Sequence, residues 1–241
     1  MTRELTSPTA VTAERSGLVV EGLTVDYGNG SGLWDFDLAV APGQVVCVIG
    51  RNGAGKSSAL LGISGFVTPD SGTVSVGGHR ITGAPFKRCR EHLSLVVKGR
   101  SLFGSLTLAE NLALAKIDPA EFFGLFPQLE ARRDVPAGHL SGGQQQLAAV
   151  GRALLRDVRV VLLDELTFGL SPAVRSLIAR VVRAEATRRD LAVVVVEQHV
   201  ETALAIADRT VVLSEGRTVL DLSGDQLAVD ADHIESTYLH P

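Results

Sequence analysis

The chain has 241 residues, of which 45% are hydrophobic, and this is enough to bury a substantial core in one large domain. Its formal net charge is −4, with lysines and arginines scattered among the acids, which argues against nucleic acid as a partner. No apolar run approaches the ~18 residues of a membrane span, and the polar start lacks the apolar segment of a signal peptide. Only two cysteines are present, and Cys47 lies in an apolar run, which fits a reducing cytoplasm.

The first part of the chain predicts a flexible tail followed by strands. Residues 1–16 show no periodicity, so the folded domain is expected to cover 17–241. From Leu23 to Tyr27 and again from Trp34 to Val40, apolar and polar residues alternate, as they do in half-buried strands. The run "VVCVIG" is continuously apolar and ends in glycine, which predicts a strand that is buried on both faces and leads into a phosphate loop.

The stretch "GRNGAGKSS" has the spacing G-x-x-x-x-G-K-[ST] and lies between that strand and the predicted helix "KSSALLGI". In this context the backbone N–H groups and the helix dipole attract a β-phosphate, Lys56 reaches the β and γ oxygens, and the Ser57 hydroxyl can bind Mg²⁺. The alternative is a glycine-rich turn with a solvated lysine, which the order of strand, loop and helix disfavours. The predicted phosphate-binding residues are Gly50, Arg51, Asn52, Gly53, Ala54, Gly55, Lys56, Ser57 and Ser58.

Residues from about 101 to 150 predict a helical lobe inserted into the sheet domain. Thr107 with Glu110, and Ser141 with Gln144, have the spacing of capping boxes at two helix starts. The lobe is also rich in phenylalanine, which indicates either its own small core or an apolar groove for a partner helix. The phenylalanines concerned are Phe103, Phe122, Phe123 and Phe126.

A second glycine-rich loop, "HLSGGQQQ", begins the later of these helices. It offers a hydroxyl, bare N–H groups and no bulky side chain, which is the equipment of an anion site, although a plain N-cap would look the same. Because one phosphate group scarcely needs two such loops in one chain, the second is predicted to serve a nucleotide bound by another subunit. Its residues are Leu140, Ser141, Gly142, Gly143 and Gln144.

Two further apolar runs, at 158–164 and 191–197, flank a helical pattern and predict a parallel crossover unit. The first run ends with Asp164 and Glu165 at the edge where a parallel sheet presents its ligand contacts. Asp164 can hold Mg²⁺ and Glu165 can polarise a water, although an isolated Asp-Glu pair is more often a cap or a solvated turn. Residues 210–222 predict a hairpin, followed by a short tail helix.

The phosphate loop, "LSGGQQQ", "VVLLDE" and "VVVVEQH", in this order, resemble the ATP-binding cassette of ABC transporters over Leu18 to Leu239. The resemblance implies an α/β P-loop NTPase fold with a parallel core sheet, an antiparallel β subdomain and an inserted helical lobe. It also implies ATP and Mg²⁺ as cofactors, and two cassettes packed head to tail so that each ATP lies between one phosphate loop and the other subunit's LSGGQ. Tyr27 would then stack on adenine, unless it is a core tyrosine.

Longer phrases such as "ISGFVTPDSGTVSVGGHRITG", "LTFGLSP" and "VVEQHVETALAIADR" are similar to the second ATP-binding subunit of branched-chain amino acid importers, whose relatives carry amides or urea. This resemblance implies a cytoplasmic subunit that is held at the inner face of the membrane by permease subunits. A coupling helix of the permease would lie in the groove of the lobe.

Several residues depart from the family pattern around the γ-phosphate. The position that usually holds Gln, or Glu in this subfamily, is Lys98, which either neutralises phosphate charge or turns to solvent. Gln198 aligns with the switch histidine, and His199 follows one place later, so either is a candidate. Leu166 stands where a proline usually follows the catalytic acid.

The expected catalytic residues are Glu165, Lys56, Gln198, His199 and Lys98. Because the main motifs are intact, hydrolysis coupled to transport is the leading prediction, and an ATP-gated dimerising subunit with weak hydrolysis is the alternative. An ATP-driven chromosome clamp would need long heptad arms, which the sequence lacks. A stand-alone kinase would leave LSGGQ without a task.

Overall fold

The computed structural model describes residues 17–28, 30–99, 101–165 and 169–234. The proposed tail at 1–16 and the position of Leu166 lie outside these residues. The described part contains eight α-helices and ten strands, and the strands form two sheets. None of the described helices is both long and apolar enough to cross a membrane.

The smaller sheet is antiparallel and has the strand order β2-β1-β4-β5. Its strands are β1 (Leu18–Asp26), β2 (Gly32–Val40), β4 (Ser71–Val76) and β5 (His79–Arg80). Alternate residues of β1 and β2 are buried, because one face of each strand packs on the core. The predicted half-buried strands are therefore confirmed.

The larger sheet has the order β10-β9-β3-β8-β7-β6 and is parallel except for the edge strand β10. Its strands are β3 (Val45–Gly50), β6 (Leu93–Val96), β7 (Val160–Asp164), β8 (Ala192–Glu197), β9 (Arg209–Ser214) and β10 (Arg217–Ser223). The three continuously apolar runs form adjacent strands in its centre, since β8 pairs in parallel with both β3 and β7. Helices cover one face of these strands, and the smaller sheet together with the helix at 56–64 covers the other, which explains why the strands do not alternate.

The helices are α1 (Lys56–Ser64), α2 (Pro85–Glu91), α3 (Leu108–Leu114), α4 (Pro119–Leu125), α5 (Gly142–Leu154), α6 (Pro172–Arg189), α7 (Val200–Ile206) and α8 (Gly224–Ile234). The α3 to α5 segment follows β6 and precedes β7, where the sequence predicts an inserted lobe. Both predicted capping boxes are present, at Thr107 and at Ser141. The predicted crossover helix is α6, the hairpin is β9–β10, and the tail helix is α8.

The phenylalanines of the helical region divide between two environments. Phe122 and Phe126 are fully buried and Phe123 is nearly so, with the Phe122 ring 5.3 Å from Phe123 and 5.6 Å from Phe126. Phe103 is 57% exposed. Three of the four are therefore buried, but in the same hydrophobic cluster as the central sheet rather than in a separate core of the lobe. Exposed Phe103 fits the alternative of an apolar groove.

Candidate nucleotide site

The phosphate loop joins the end of β3 to the first turn of α1, as the sequence predicts. Gly55 is the N-cap of α1, with φ of 98°, and no side chain caps this helix. A Cβ at Gly55 would lie 2.9 Å from the carbonyl oxygen of Gly32, so the position requires glycine both for its backbone and for its close neighbour. An uncapped helix N-terminus in a tight loop is a ready site for an anion.

Lys56 is held inside this loop. Its Nζ donates to the carbonyl oxygen of Gly50 at 2.7 Å and to that of Arg51 at 2.9 Å, and the residue is 5% exposed. Burial lowers the pKa of Lys56, while Glu165 and Asp164 act in the opposite direction. The loop carbonyls therefore hold the lysine, and the acids at the end of β7 favour its charged form.

The carboxyl ends of the central strands bring the acidic residues to the same edge of the sheet. Asp164 is the last residue of β7 and is paired in register with Val196 of β8, and Glu197 ends β8. The Glu165 N–H donates to the Val196 carbonyl at 2.9 Å, and Glu165 has φ of 44°. This left-handed backbone turns the chain sharply after β7 and fixes where the Glu165 side chain begins.

Asp164 is one of the two predicted Mg²⁺ ligands. Its Oδ1 is buried and has no hydrogen-bond partner among the described residues. Burial raises the pKa of Asp164 and the Glu165 charge adds to this, whereas Lys56 and Lys98 oppose it. The Ser57 hydroxyl, in the exposed first turn of α1, is the other predicted Mg²⁺ ligand.

In the described part of the chain, no three His, Cys, Asp or Glu side chains cluster as metal ligands. Proteins usually hold Mg²⁺ with one or two side chains while phosphates and waters complete the shell, and the buried Oδ1 of Asp164 and the Ser57 hydroxyl are oxygen donors of that kind. The residues present therefore fit the predicted cofactor.

Lys98 and Gln198 both contact other predicted site residues. The Lys98 ammonium donates to Oε2 of Glu165, and this hydrogen bond raises the pKa of Lys98. Gln198 donates through Nε2 to Oδ1 of Asn52 in the phosphate loop. His199 is exposed and is the N-cap of α7. Of the two switch candidates, Gln198 is thus the one that the fold brings to the phosphate loop.

Tyr27 lies just beyond the end of β1 and is 48% exposed, so the alternative of a core tyrosine is wrong. Its hydroxyl is 3.3 Å from Oγ of Ser58 in the first turn of α1. The ring is therefore at the mouth of the phosphate loop and is available for stacking.

The LSGGQ segment has a different environment. Leu140 is buried and anchors the loop, whereas Ser141 and Gly142 are exposed at the start of α5. Ser141 N–H donates to Oε1 of Gln144 at 3.0 Å, and Gln144 N–H donates to Oγ of Ser141 at 3.3 Å. Both interpretations of the sequence are thus compatible with the geometry, because the N-cap is formed and the loop also faces outwards.

Two features of the site were not among the predicted site residues. Glu197 is buried at the end of β8, and its charge is one of those that raise the pKa of Lys56. The turn between β9 and β10 supports the phosphate loop, since Gly216 N–H donates to the Ala54 carbonyl at 3.1 Å. The sequence signal for Glu197 is a polar residue at the end of an apolar strand. Only the folded chain shows the contact between Gly216 and Ala54.

The family model described as "ABC transporter" matches residues 33–168. The branched-chain amino acid transport ATP-binding protein BraG of Pseudomonas aeruginosa is 36% identical over 83% of this chain and 90% of its own length. LivF of Archaeoglobus fulgidus, described as a probable branched-chain amino acid transport ATP-binding protein, is 33% identical over 81% of this chain and 87% of its own length. The thiamine import ATP-binding protein ThiQ of Vibrio cholerae is 33% identical over 83% of this chain and 87% of its own length.

Solved structures show the same fold. An ATP-binding subunit of an ABC transporter superposes with a TM-score of 0.75 at 27% identity, covering 90% of this chain and 92% of its own. The ADP conformation of the ATP-binding cassette MJ1267 gives a TM-score of 0.75 at 23% identity, covering 88% and 93%. Together with the order of motifs and the geometry of the phosphate loop, these matches show that the chain belongs to the ABC transporter family, as one of its ATP-binding cassettes.

Proposed function

We propose that this chain hydrolyses Mg·ATP as the energy-coupling subunit of an importer, most specifically one for branched-chain amino acids or related amides or urea. The observation that carries the proposal is the meeting of Lys56, Asp164 and Glu165 at the carboxyl ends of β3 and β7. An uncapped helix N-terminus, a buried lysine and an unpaired carboxylate oxygen in one place are suited to a nucleotide triphosphate with its metal.

In this proposal each residue has a separate task. Glu165 orients the attacking water and accepts its proton while the bond between the γ-phosphorus and the β–γ bridging oxygen breaks. Lys56 leaves its carbonyl partners to offset charge on the phosphate oxygens. Ser57 and Asp164 would hold Mg²⁺, which when bound supplies further neutralisation. Tyr27 stacks on adenine. Gln198, which donates to Asn52 of the phosphate loop, is the switch residue.

A second cassette completes the site. The exposed Ser141 and Gly142 are proposed to close on the nucleotide of another subunit, because Leu140 and the capping box hold the loop firmly while its outer face is open. The helical region at about 101–150 is then the lobe that presents this loop.

Hydrolysis is tested with the purified chain and its Glu165→Gln variant. We expect turnover to rise with chain concentration together with dimer formation, and Glu165→Gln to lower kcat by about 10²- to 10⁴-fold while Mg·ATP still binds. If Glu165→Gln turned over as fast as the native chain, the assignment of Glu165 would be wrong. If the native chain bound ATP without hydrolysis at any concentration, the alternative of a nucleotide-gated subunit would hold.

The proposed docking site for the permease is a cavity of about 580 Å³ beside the helical region. Its wall carries the exposed side chains of Phe103 and Leu114, and Arg152 lies over the Phe103 ring at 5.9 Å. Arg90, Lys116 and Arg156 also line it, against the single acid Asp157. The surface therefore fits a helix with apolar residues and at least one carboxylate.

Docking and solute are tested together in an assembled importer. We expect Phe103→Ser to lower recovery of the cassette with its permease and to abolish leucine-stimulated ATP hydrolysis. Phe86 is 72% exposed on α2 and lies outside this cavity, so Phe86→Ser is the matched control and should assemble normally. Stimulation of ATP hydrolysis by thiamine but not by leucine would contradict the proposed solute. Equal effects of Phe103→Ser and Phe86→Ser would contradict the proposed docking site.

A further inference from the structure

Four charged side chains join the helical region to the C-terminal end of α6, and we call them the α4–α6 clamp. Arg188 donates through Nη2 to Oε1 of Glu121 in α4 at 2.5 Å, and through Nε to the buried Glu185 of its own helix at 3.0 Å. Arg189 donates through Nη1 to the same Oε1 of Glu121 at 3.1 Å. Two arginines are thus balanced by two carboxylates, one of which comes from the helical region.

Arg189 also holds the end of α5. Its Nη2 donates to the carbonyl oxygens of Leu155 and Arg156 at 3.2 and 3.5 Å, and Leu155 is the C-cap of α5. The last carbonyls of a helix lack partners within the helix, and a forked, positively charged guanidinium is well suited to them. Because one η nitrogen faces α4 and the other faces α5, Arg189 fixes α4, α5 and α6 relative to one another.

α4 and α5 also approach each other closely at this end. A Cβ at Gly151 of α5 would lie 2.6 Å from Cε2 of Phe126 and 2.7 Å from Cε2 of Phe122. The two rings therefore rest directly on the backbone of α5. Phe122 follows Glu121 in the chain, so the clamp and this contact act on α5 from adjacent residues of α4.

The exposed LSGGQ loop lies at the other end of α5. The helix has 13 residues, so its N-terminus is about 20 Å from the clamp, and a tilt of about 10° would displace the loop by about 3 Å. Apolar packing holds α5 in the core, but that attraction is non-directional, whereas hydrogen bonds and ion pairs require a defined geometry. The angle of α5 is therefore set at its C-terminal end.

We propose that Glu121 and Arg189 are positioning residues that set the angle of α5, and with it the place of the LSGGQ loop against the nucleotide of a partner subunit. This inference rests on the proposed pairing of two cassettes. Neither residue is catalytic, because both lie at the end of α5 that is remote from the loop.

The test uses Glu121→Ala and Arg189→Lys in the full chain. The first removes the shared carboxylate, and the second keeps the charge but replaces the fork with a single nitrogen, which cannot contact α4 and α5 in the same way. We expect each to raise the chain concentration that gives half-maximal Mg·ATP turnover by about two- to tenfold. Binding of Mg·ATP to the chain's own phosphate loop should stay at the native level.

Asp221→Ala is the matched control. The Asp221 side chain is 37% exposed and that of Glu121 is 35% exposed, and Arg209 joins Asp221 to the backbone carbonyl of Ala39. This pair has a similar construction but lies in the β9–β10 hairpin. We expect Asp221→Ala to lose about as much stability to urea as Glu121→Ala while it keeps the native concentration dependence. Equal shifts in concentration dependence would contradict a specific effect of the clamp.

A distance measurement tests the clamp without hydrolysis. Spin labels at the exposed positions His139→Cys, just before the loop, and Arg180→Cys, on α6, report the position of α5 by pulsed electron paramagnetic resonance. A Cys89→Ser background leaves only the buried Cys47. We expect the distance distribution to shift or broaden by about 3 Å in Glu121→Ala, as the tilt requires, and to stay native in Asp221→Ala.

An unchanged distribution in both Glu121→Ala and Arg189→Lys would overturn the clamp. A changed distribution with a native concentration dependence would overturn its role in placing the loop. If neither the native chain nor any variant paired or hydrolysed ATP, the proposed function itself would fail, and the distances would still decide whether the clamp sets the angle of α5.

Discussion

Two glycine-rich loops begin helices in this chain, and they satisfy their backbone N–H groups in different ways. The phosphate loop leaves α1 without a side-chain cap, whereas the second loop caps α5 with the paired contacts of Ser141 and Gln144. The first is enclosed, since β2 and the β9–β10 turn contact it, and the second has an open face. The same composition therefore builds an enclosed loop without a side-chain cap in one place and an exposed, capped loop in the other, which fits the proposal that the second loop serves the nucleotide of a partner subunit.

The enclosure of Gly55 gives the largest expected difference between the loops. Gly55→Ala places a residue with a side chain at φ of 98° and puts its Cβ 2.9 Å from a backbone oxygen. We expect a loss of at least about 1–2 kcal/mol in the free energy of unfolding from the left-handed backbone alone. Nucleotide binding should be lost as well, because the loop must open to relieve the contact.

Gly142→Ala is the matched change in the second loop. Its Cβ would meet nothing within 4 Å, and Gly142 does not have a positive φ. Urea unfolding should show native or slightly higher stability, with Mg·ATP binding to the chain's own loop intact. Turnover at dimer-forming concentration should fall, since a methyl group then separates the loop from the partner's nucleotide. Equal losses of stability in the two variants would contradict the contrast.

The local features of both loops are predictable from sequence because the interactions span only a few residues. The glycine spacing, the buried strand before Lys56 and the capping pairs at Thr107 and Ser141 all act within one turn or loop. The sequence also places Asp164 at a strand end, because an apolar run of suitable length precedes it.

What the sequence cannot give is the set of contacts between distant segments. Lys98 meets Glu165, and Gln198 meets Asn52, only because the strand order places β6 beside β7 and β8 beside β3. The same limit explains why the sequence left the environment of Phe103 open. Phe103 and Phe122 are the same type of residue in the same predicted lobe, and only the path of the loop after β6 decides which ring is buried.

The two capping boxes allow a test with a smaller expected effect, which concerns the charge of the residue that closes each box. The box at α3 is closed by a carboxylate, since Thr107 N–H donates to Oε2 of Glu110 at 2.7 Å, and the box at α5 is closed by the neutral amide of Gln144. Hydrogen bonds from Thr107 lower the pKa of Glu110, so that box carries a negative charge at neutral pH. The proposed approach of the second loop to a partner's phosphate favours a neutral box, because a carboxylate in the first turn would repel the phosphate.

Gln144→Glu should therefore separate the capping role from the anion-binding role. The variant keeps an acceptor for Ser141 N–H, so we expect its free energy of unfolding to stay within about 0.5 kcal/mol of the native value. Its turnover at dimer-forming concentration should fall by about three- to tenfold at low ionic strength, and the loss should shrink as salt screens the new charge. Glu110→Gln, the reverse exchange at α3, should leave turnover unchanged. A loss for Gln144→Glu that does not depend on salt would mean that the amide acts through geometry, and no loss would mean that the second loop does not meet a nucleotide.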